Sequence, residues 1–225
     1  YAVDVTTLAT AHDRALREVD STVRFRRTIV AANGTVVSTR RSVTESAGDR
    51  LGFDYVQNGS PPGADGSAIR AFAFWTNGSV TALRTVGDEG AVGYQIVSGQ
   101  PPAVASTDDS GEGLLFAALD GTNVRLSETI AVNSERLYVL SAQHDRLNRS
   151  GRRPVENFSA VAYVTDDGIV REYELRYTAT YGSGDDRVTA RTVERFRVTV
   201  NDTAAAPPAW VDDARGAGTE NRSGG

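Results

Sequence analysis

The stretch GIVREYELRYTATYGSGDDRVTARTVERFRVTV, residues 168 to 200, decides the fold. From 171 to 181 the residues Tyr173, Leu175, Tyr177, Ala179 and Tyr181 fall on one face, and Glu172, Glu174 and Arg176 on the other. From 187 to 200 Val188, Ala190, Phe196, Val198 and Val200 share a face, opposite Arg187, Arg191, Arg195, Arg197 and Val193. A period of two sustained over such lengths describes paired β-strands with one apolar, aromatic side and one side laddered with Arg and Glu. Glu194 breaks the pattern, because strict alternation sends it to the apolar side. Two readings fit: a β-bulge that turns it outward, or a buried polar handle for a ligand.

The same alternation runs outward from this pair. STVRFRRTIVA (21 to 31) alternates Val23, Phe25 and Ile29 against Arg24, Arg26 and Thr28, and TVVSTRRSVTES (35 to 46) returns from it. RLGFDYVQ, IRAFAFWT, SVTALRTV and AVGYQIVS read as four further strands, and NVRLSETIAV, RLYVLSAQ and VENFSAVAYVT as three before the deciding stretch. About eleven strands result. Ahead of them, DVTTLATAHDRALREV (4 to 19) sets Val5, Leu8, Ala9, His12, Leu16 and Val19 at helical spacing, with Asp4 or Thr6 as N-cap and His12 as a core imidazole. GLLFAALD (113 to 120) is an apolar helix without a polar face, so it must be buried or cap something. The fold class is therefore α+β: an antiparallel sheet of about eleven strands with an N-terminal helix and a second, short apolar helix. Residues 1–213 form one domain, and 214–225 a flexible polar tail.

Composition sets further bounds. All 24 basic residues are Arg, and with 29 acidic residues the net charge is −5. The absence of Lys and the acidic balance fit a GC-rich genome and a halophilic surface together. They argue against nucleic acid, since Arg149, Arg152 and Arg153 form a short loop cluster instead of a basic stripe. There is no Cys, hence no disulfide and no thiolate chemistry. No apolar run is long enough to span a bilayer, and the chain opens on Tyr1, which places any export signal or anchor upstream.

Seven of the nine Asn residues lie in Asn-x-Ser/Thr: Asn33, Asn58, Asn77, Asn148, Asn157, Asn201 and Asn221. Chance would give about two, and the motif marks exposed loops of secreted proteins. Asn33-Gly34 and Asn77-Gly78 also read as two-residue type I′ hairpin turns, which need positive φ at both central residues. An extracellular, N-glycosylated protein follows.

The segments TTLATAHDRAL, TVRFRRTIVAANGTVVSTR and DDGIVREYELRYTAT and the ending PPAWVDDAR together resemble a family of haloarchaeal surface lipoproteins of unassigned function, over nearly the whole chain. Such proteins are similar to the LolA/LppX lipoprotein-carrier fold, which implies that the sheet is strongly curved, a half-barrel with short covering helices on its concave side. The resemblance implies a lipobox upstream of Tyr1, a tether to the outer face of the membrane, and an apolar cavity in a half-barrel closed by helices. The chain departs from the family in its number of sequons and in the Gly/Pro insert around Ser60 to Ser67.

Catalytic signatures are missing. There is no nucleophile elbow, phosphate loop or zinc-protease motif, so an enzyme is not expected. Four Asp doublets, at 108–109, 166–167, 185–186 and 212–213, lack the alternating spacing of a calcium loop and read as solvated turns. His144 reads as a loop histidine. No cofactor or metal is implied. The expected site is the apolar face: Tyr173, Leu175, Tyr177, Tyr181, Glu194, Phe196 and Val198, holding an apolar ligand or lipid, with the helix around Leu114, Leu115 and Phe116 as its cover. The alternative is a surface-layer or filament subunit that self-associates through sheet edges, with the N-terminal YAVDV donated to a neighbour.

Overall fold

The computed structural model describes residues 1–61, 69–99, 110–148, 153–182, 187–201 and 205–220. The sequon at Asn221, the Asp doublets at 108–109 and 185–186, Arg149 and Arg152, and most of the 60–67 insert lie outside them. Eleven antiparallel strands form one sheet that does not close. In chain order they are β1 (Ser21–Ala31), β2 (Val36–Ala47), β3 (Arg50–Asn58), β4 (Ile69–Thr76), β5 (Val80–Gly87), β6 (Val92–Ser98), β7 (Arg125–Val132), β8 (Glu135–Leu147), β9 (Val155–Thr165), β10 (Val170–Tyr181) and β11 (Val188–Val200). The spatial order is β6-β5-β4-β3-β2-β1-β11-β10-β9-β8-β7. Two meanders are thus joined at β1–β11, and the first and last strands meet in the middle of the half-barrel.

The described residues also form three helices: α1 (Val5–Leu16), α2 (Glu112–Leu119) and α3 (Trp210–Glu220). Asp4 caps α1, its Oδ1 accepting from the Thr7 N–H at 2.6 Å. α1 and α2 pack side by side on the inner face, where Leu8, Ala9, Leu16, Leu115, Ala118 and Leu119 join Phe196, Tyr173 and Val23 in the main core. α3 lies on the other face of the first meander, where Val211 and Ala214 pack on Trp75 and Ala82. The Trp75 Nε1–H donates to the Ala205 carbonyl at 2.9 Å, which pins the approach to that helix. Helix α3 runs to Glu220, and Ala214 is buried.

The inner face is built around Phe196. It is fully buried, stacks on Tyr173 at 5.1 Å with the planes 5° apart, and receives the edge of His12 at 5.7 Å. Gly111, just before α2, has φ 79°, and a Cβ there would stand 2.4 Å from the Phe196 ring. Only glycine allows the helix to start so close to the sheet. His12 is the satisfied core imidazole that its spacing predicts. Its Nε2 bonds the Ser110 carbonyl at 2.8 Å, and its Nδ1 accepts the Val170 N–H at 3.0 Å, so one ring ties α1 to the lead-in of α2 and to β10.

Two local expectations are corrected. The Asn-Gly connections are not two-residue type I′ turns, because only Gly34 (φ 85°) and Gly78 (φ 82°) take positive φ while Asn33 and Asn77 do not. The Asn side chains serve the turns instead: Asn33 Oδ1 accepts from the Thr35 N–H, and Asn77 Oδ1 from those of Ser79 and Val80. His144 stands on β8, not in a loop, and its Nε2 bonds the Thr122 carbonyl at 2.6 Å. The N-terminal residues pair with their own edge strand: Ala2 bridges Arg125, and the Val3 N–H donates to Val124.

His12→Ala removes both bonds and leaves a buried Val170 N–H without its acceptor. The expected cost is about 2–4 kcal/mol, read as a lower denaturant midpoint. An unchanged midpoint would show that His12 does not hold the helices to the sheet.

Candidate functional site

Beyond the Phe196 cluster the inner face is only partly covered. A cavity of about 410 Å³ lies between α2 and the strands β2, β1, β11, β10 and β9. The register fixes its floor as successive cross-strand rows. Tyr173, Phe196 and Phe25 form the packed row, and the next runs Leu175, Glu194, Arg27 and Arg40. Leu114, Ala117 and Ala118 of α2 form the roof, and Tyr177, Ala179, Tyr181 and Val155 continue the wall. Small residues on both sides, Ala117 and Ala118 above and Ala179 below, leave the space that larger side chains would fill.

Glu194 is not turned outward by a bulge. Its pairing is in register with Arg27 on one side and Leu175 on the other, so alternation carries it into the cavity. There its Oε1 lies 3.3 Å from Arg27 Nε. Arg27 Nη2 also donates to the Tyr177 hydroxyl at 2.8 Å. Burial opposes the Arg27 charge, but Tyr177 and Glu194 outweigh it and hold the guanidinium above its usual value. Burial pushes the Tyr177 hydroxyl up more strongly than Arg27 pulls it down. The cluster is therefore an ion pair with a neutral phenol beside it.

The residues expected for the site divide into two sets. Leu175, Tyr177, Tyr181 and Glu194 line the cavity. Tyr173, Phe196 and Val198 sit in the packed core instead. Three charged lining residues escaped the sequence reading: Arg27, Arg40 and Arg153. The first two had a signal. Arg26-Arg27 and Arg40-Arg41 are doublets within alternating strands, so one Arg of each pair must face inward. Arg153 precedes β9 and carries no such mark. At the mouth, Arg40 lies over the rings of Phe25 and Tyr55 at 5.8 and 5.2 Å, and Arg153 over Tyr181 at 4.4 Å. Among the described residues no group of His, Asp and Glu is arranged to hold a metal ion.

The outer face meets its expectation of paired charges in water. Arg195 reaches Glu174 at 2.6 Å and Arg197 reaches Glu172 at 3.0 Å. Asn33, Asn58, Asn148, Asn157 and Asn201 are exposed, and Asn77 is half-buried. Where Asn33 and Asn77 bond the backbone they use the side-chain oxygen, not the nitrogen to which a glycan attaches.

Residues 2–214 match a family model described as a family of unknown function, DUF7537. The chain belongs to that family. No curated protein matches it. Solved structures similar to this DUF7537 member include LprF from Mycobacterium bovis, at 10% identity and TM-score 0.41, covering 92% of this chain and 99% of that one. A DUF1329 family protein from Desulfovibrio piger is 12% identical at TM-score 0.29, with 92% and 95% covered. A putative outer membrane lipoprotein-sorting protein domain from Vibrio parahaemolyticus is 11% identical at TM-score 0.27, with 94% and 96% covered. Likenesses this loose do not fix a function.

The Arg27–Glu194 pair gives a test of the cavity floor. Glu194→Leu strands a half-buried guanidinium and should cost about 1–3 kcal/mol, whereas Arg27→Met combined with Glu194→Leu should cost less than Glu194→Leu alone. Strictly additive losses in urea denaturation would mean that the two side chains do not interact.

Proposed function

We propose that this protein is an exported, N-glycosylated binding protein, lipid-anchored on the outer face of a halophilic archaeon's membrane, which holds an apolar or amphipathic molecule between its sheet and α2. The cavity of about 410 Å³ carries the reading, because its volume falls in the range of small-molecule sites and its walls mix aliphatic and aromatic groups with a few convergent polar ones. Binding is preferred to catalysis. The polar cluster inside is an ion pair and a phenol that burial keeps neutral, with no nucleophile beside a base. Export is supported by seven sequons among nine Asn residues, and the halophilic assignment by the absence of Lys and the net charge of −5. The lipid anchor rests on the resemblance of the sequence alone. A filament or surface-layer subunit would draw on the edges β6 and β7, and residues 1–3 already occupy part of β7.

Ala117→Trp fills the cavity from its roof. In protein purified from its native host and extracted into organic solvent, mass spectrometry should find an apolar or amphipathic molecule with the wild type and little with the variant. Wild-type protein that yields none would remove the binding reading.

Peptide mapping of the same native material should show sugar on several of Asn33, Asn58, Asn77, Asn148, Asn157 and Asn201. Bare asparagine at all six would remove the export argument.

A further inference from the structure

The charges lining the cavity are unlike those of the chain as a whole. Among the described residues, four charged side chains line it: Arg27, Arg40, Arg153 and Glu194. The sum is +2, from three guanidinium groups and one carboxylate, in a protein whose formal net charge is −5. Glu194 pairs with Arg27 at 3.3 Å. Arg40 and Arg153 are both exposed at its mouth, and no carboxylate among the described residues is in ion-pair distance of either. Both lie against aromatic faces, Arg40 over Phe25 and Tyr55 and Arg153 over Tyr181.

An aromatic face under a guanidinium restricts the side chain while leaving the N–H edge of its fork open to accept an oxyanion. Both forks line the same cavity as the apolar side chains of Leu114, Ala117, Leu175 and Val155. From this geometry, and resting on the binding function proposed above, we propose that the ligand is an anionic amphiphile. Its carboxylate or phosphate head is held by one of the two exposed forks, Arg40 or Arg153, and its hydrocarbon part lies under α2. The buried Arg27–Glu194 pair is not the head-group site. It is neutral as a pair and is the polar floor against which the chain ends or bends. Charge-assisted bonds to a fork are stronger than neutral ones, so the head-group charge should decide affinity among ligands of equal tail.

The test uses the full chain, stripped of bound lipid by organic extraction and refolded, with the fold checked by circular dichroism. Dodecanoate and dodecyl phosphate are compared with the uncharged dodecanoyl glycerol by titration calorimetry, and acetate and inorganic phosphate serve as heads without tails. Both anionic amphiphiles should bind about tenfold or more tightly than the glycerol ester. The preference should shrink as salt is raised, since the mouth is open to water. In Arg40→Gln/Arg153→Gln the preference should vanish, the ratio of the dodecanoate and dodecanoyl glycerol affinities falling to about one. Equal affinity for charged and uncharged amphiphiles in the wild type would overturn the anionic head and leave the binding reading standing. So would a preference that survives the double substitution. Acetate or phosphate binding as tightly as dodecanoate would overturn the amphiphile in favour of a simple anion site. If none of the amphiphiles binds, the cavity reading falls together with this one.

Discussion

The structure turns on the burial of Phe196. It lies on β11, in the middle of the sheet where the first and last strands meet, and three different groups close on its ring: Tyr173 stacked from β10, His12 edge-on from α1, and Gly111 at the start of α2. An open antiparallel sheet of this width exposes more apolar inner surface than two short helices can cover. Docking both helices at one point secures them firmly, and the cost is that the rows beyond Phe196 are roofed by whatever part of α2 extends over them. The cavity is the uncovered remainder. Its position follows from where glycine permits close approach and where alanines on α2 do not fill the gap.

Much of this was legible because alternation is a strong constraint. One residue of slip would expose Tyr173, Leu175 and Tyr177 together, so the pattern in residues 168 to 200 leaves a single acceptable register. The same constraint carried information that was easy to pass over. Glu194 stands out among apolar neighbours, and a bulge is the ordinary remedy for such a residue. The remedy is absent because Arg27 arrives directly opposite on β1, and each charge makes the other's inward position tolerable. Arg27 is masked in sequence by Arg24 and Arg26, whose outward positions make the whole run look solvated.

Other features lay beyond a reading of single strands. The position of Arg153 depends on how the chain enters β9, and its contact with Tyr181 crosses from one strand to the next. The turns at Asn33 and Asn77 were located correctly, but their geometry was not. A side-chain amide that bonds the backbone two or three residues on supplies part of the turn itself, so the asparagine no longer needs positive φ. That contribution comes from a side chain, whereas the hairpin rule counts only backbone conformations.

The two faces of the sheet deal with the same residue type differently. On the outside, Arg24 lies opposite Arg197, and Arg26 lies opposite both Arg41 and Arg195, an arrangement of like charges that would be unfavourable on its own. Water screens it, and Glu172 and Glu174 on β10 take up Arg197 and Arg195. Inside, the doublets Arg26-Arg27 and Arg40-Arg41 send one guanidinium each toward the cavity, where Glu194 is the single carboxylate among the described lining residues and pairs with Arg27. The positive lining of the cavity thus contrasts with the outer face, where Glu172 and Glu174 pair with two of the arginines. It persists because Arg40 is exposed to water while its guanidinium lies over the rings of Phe25 and Tyr55.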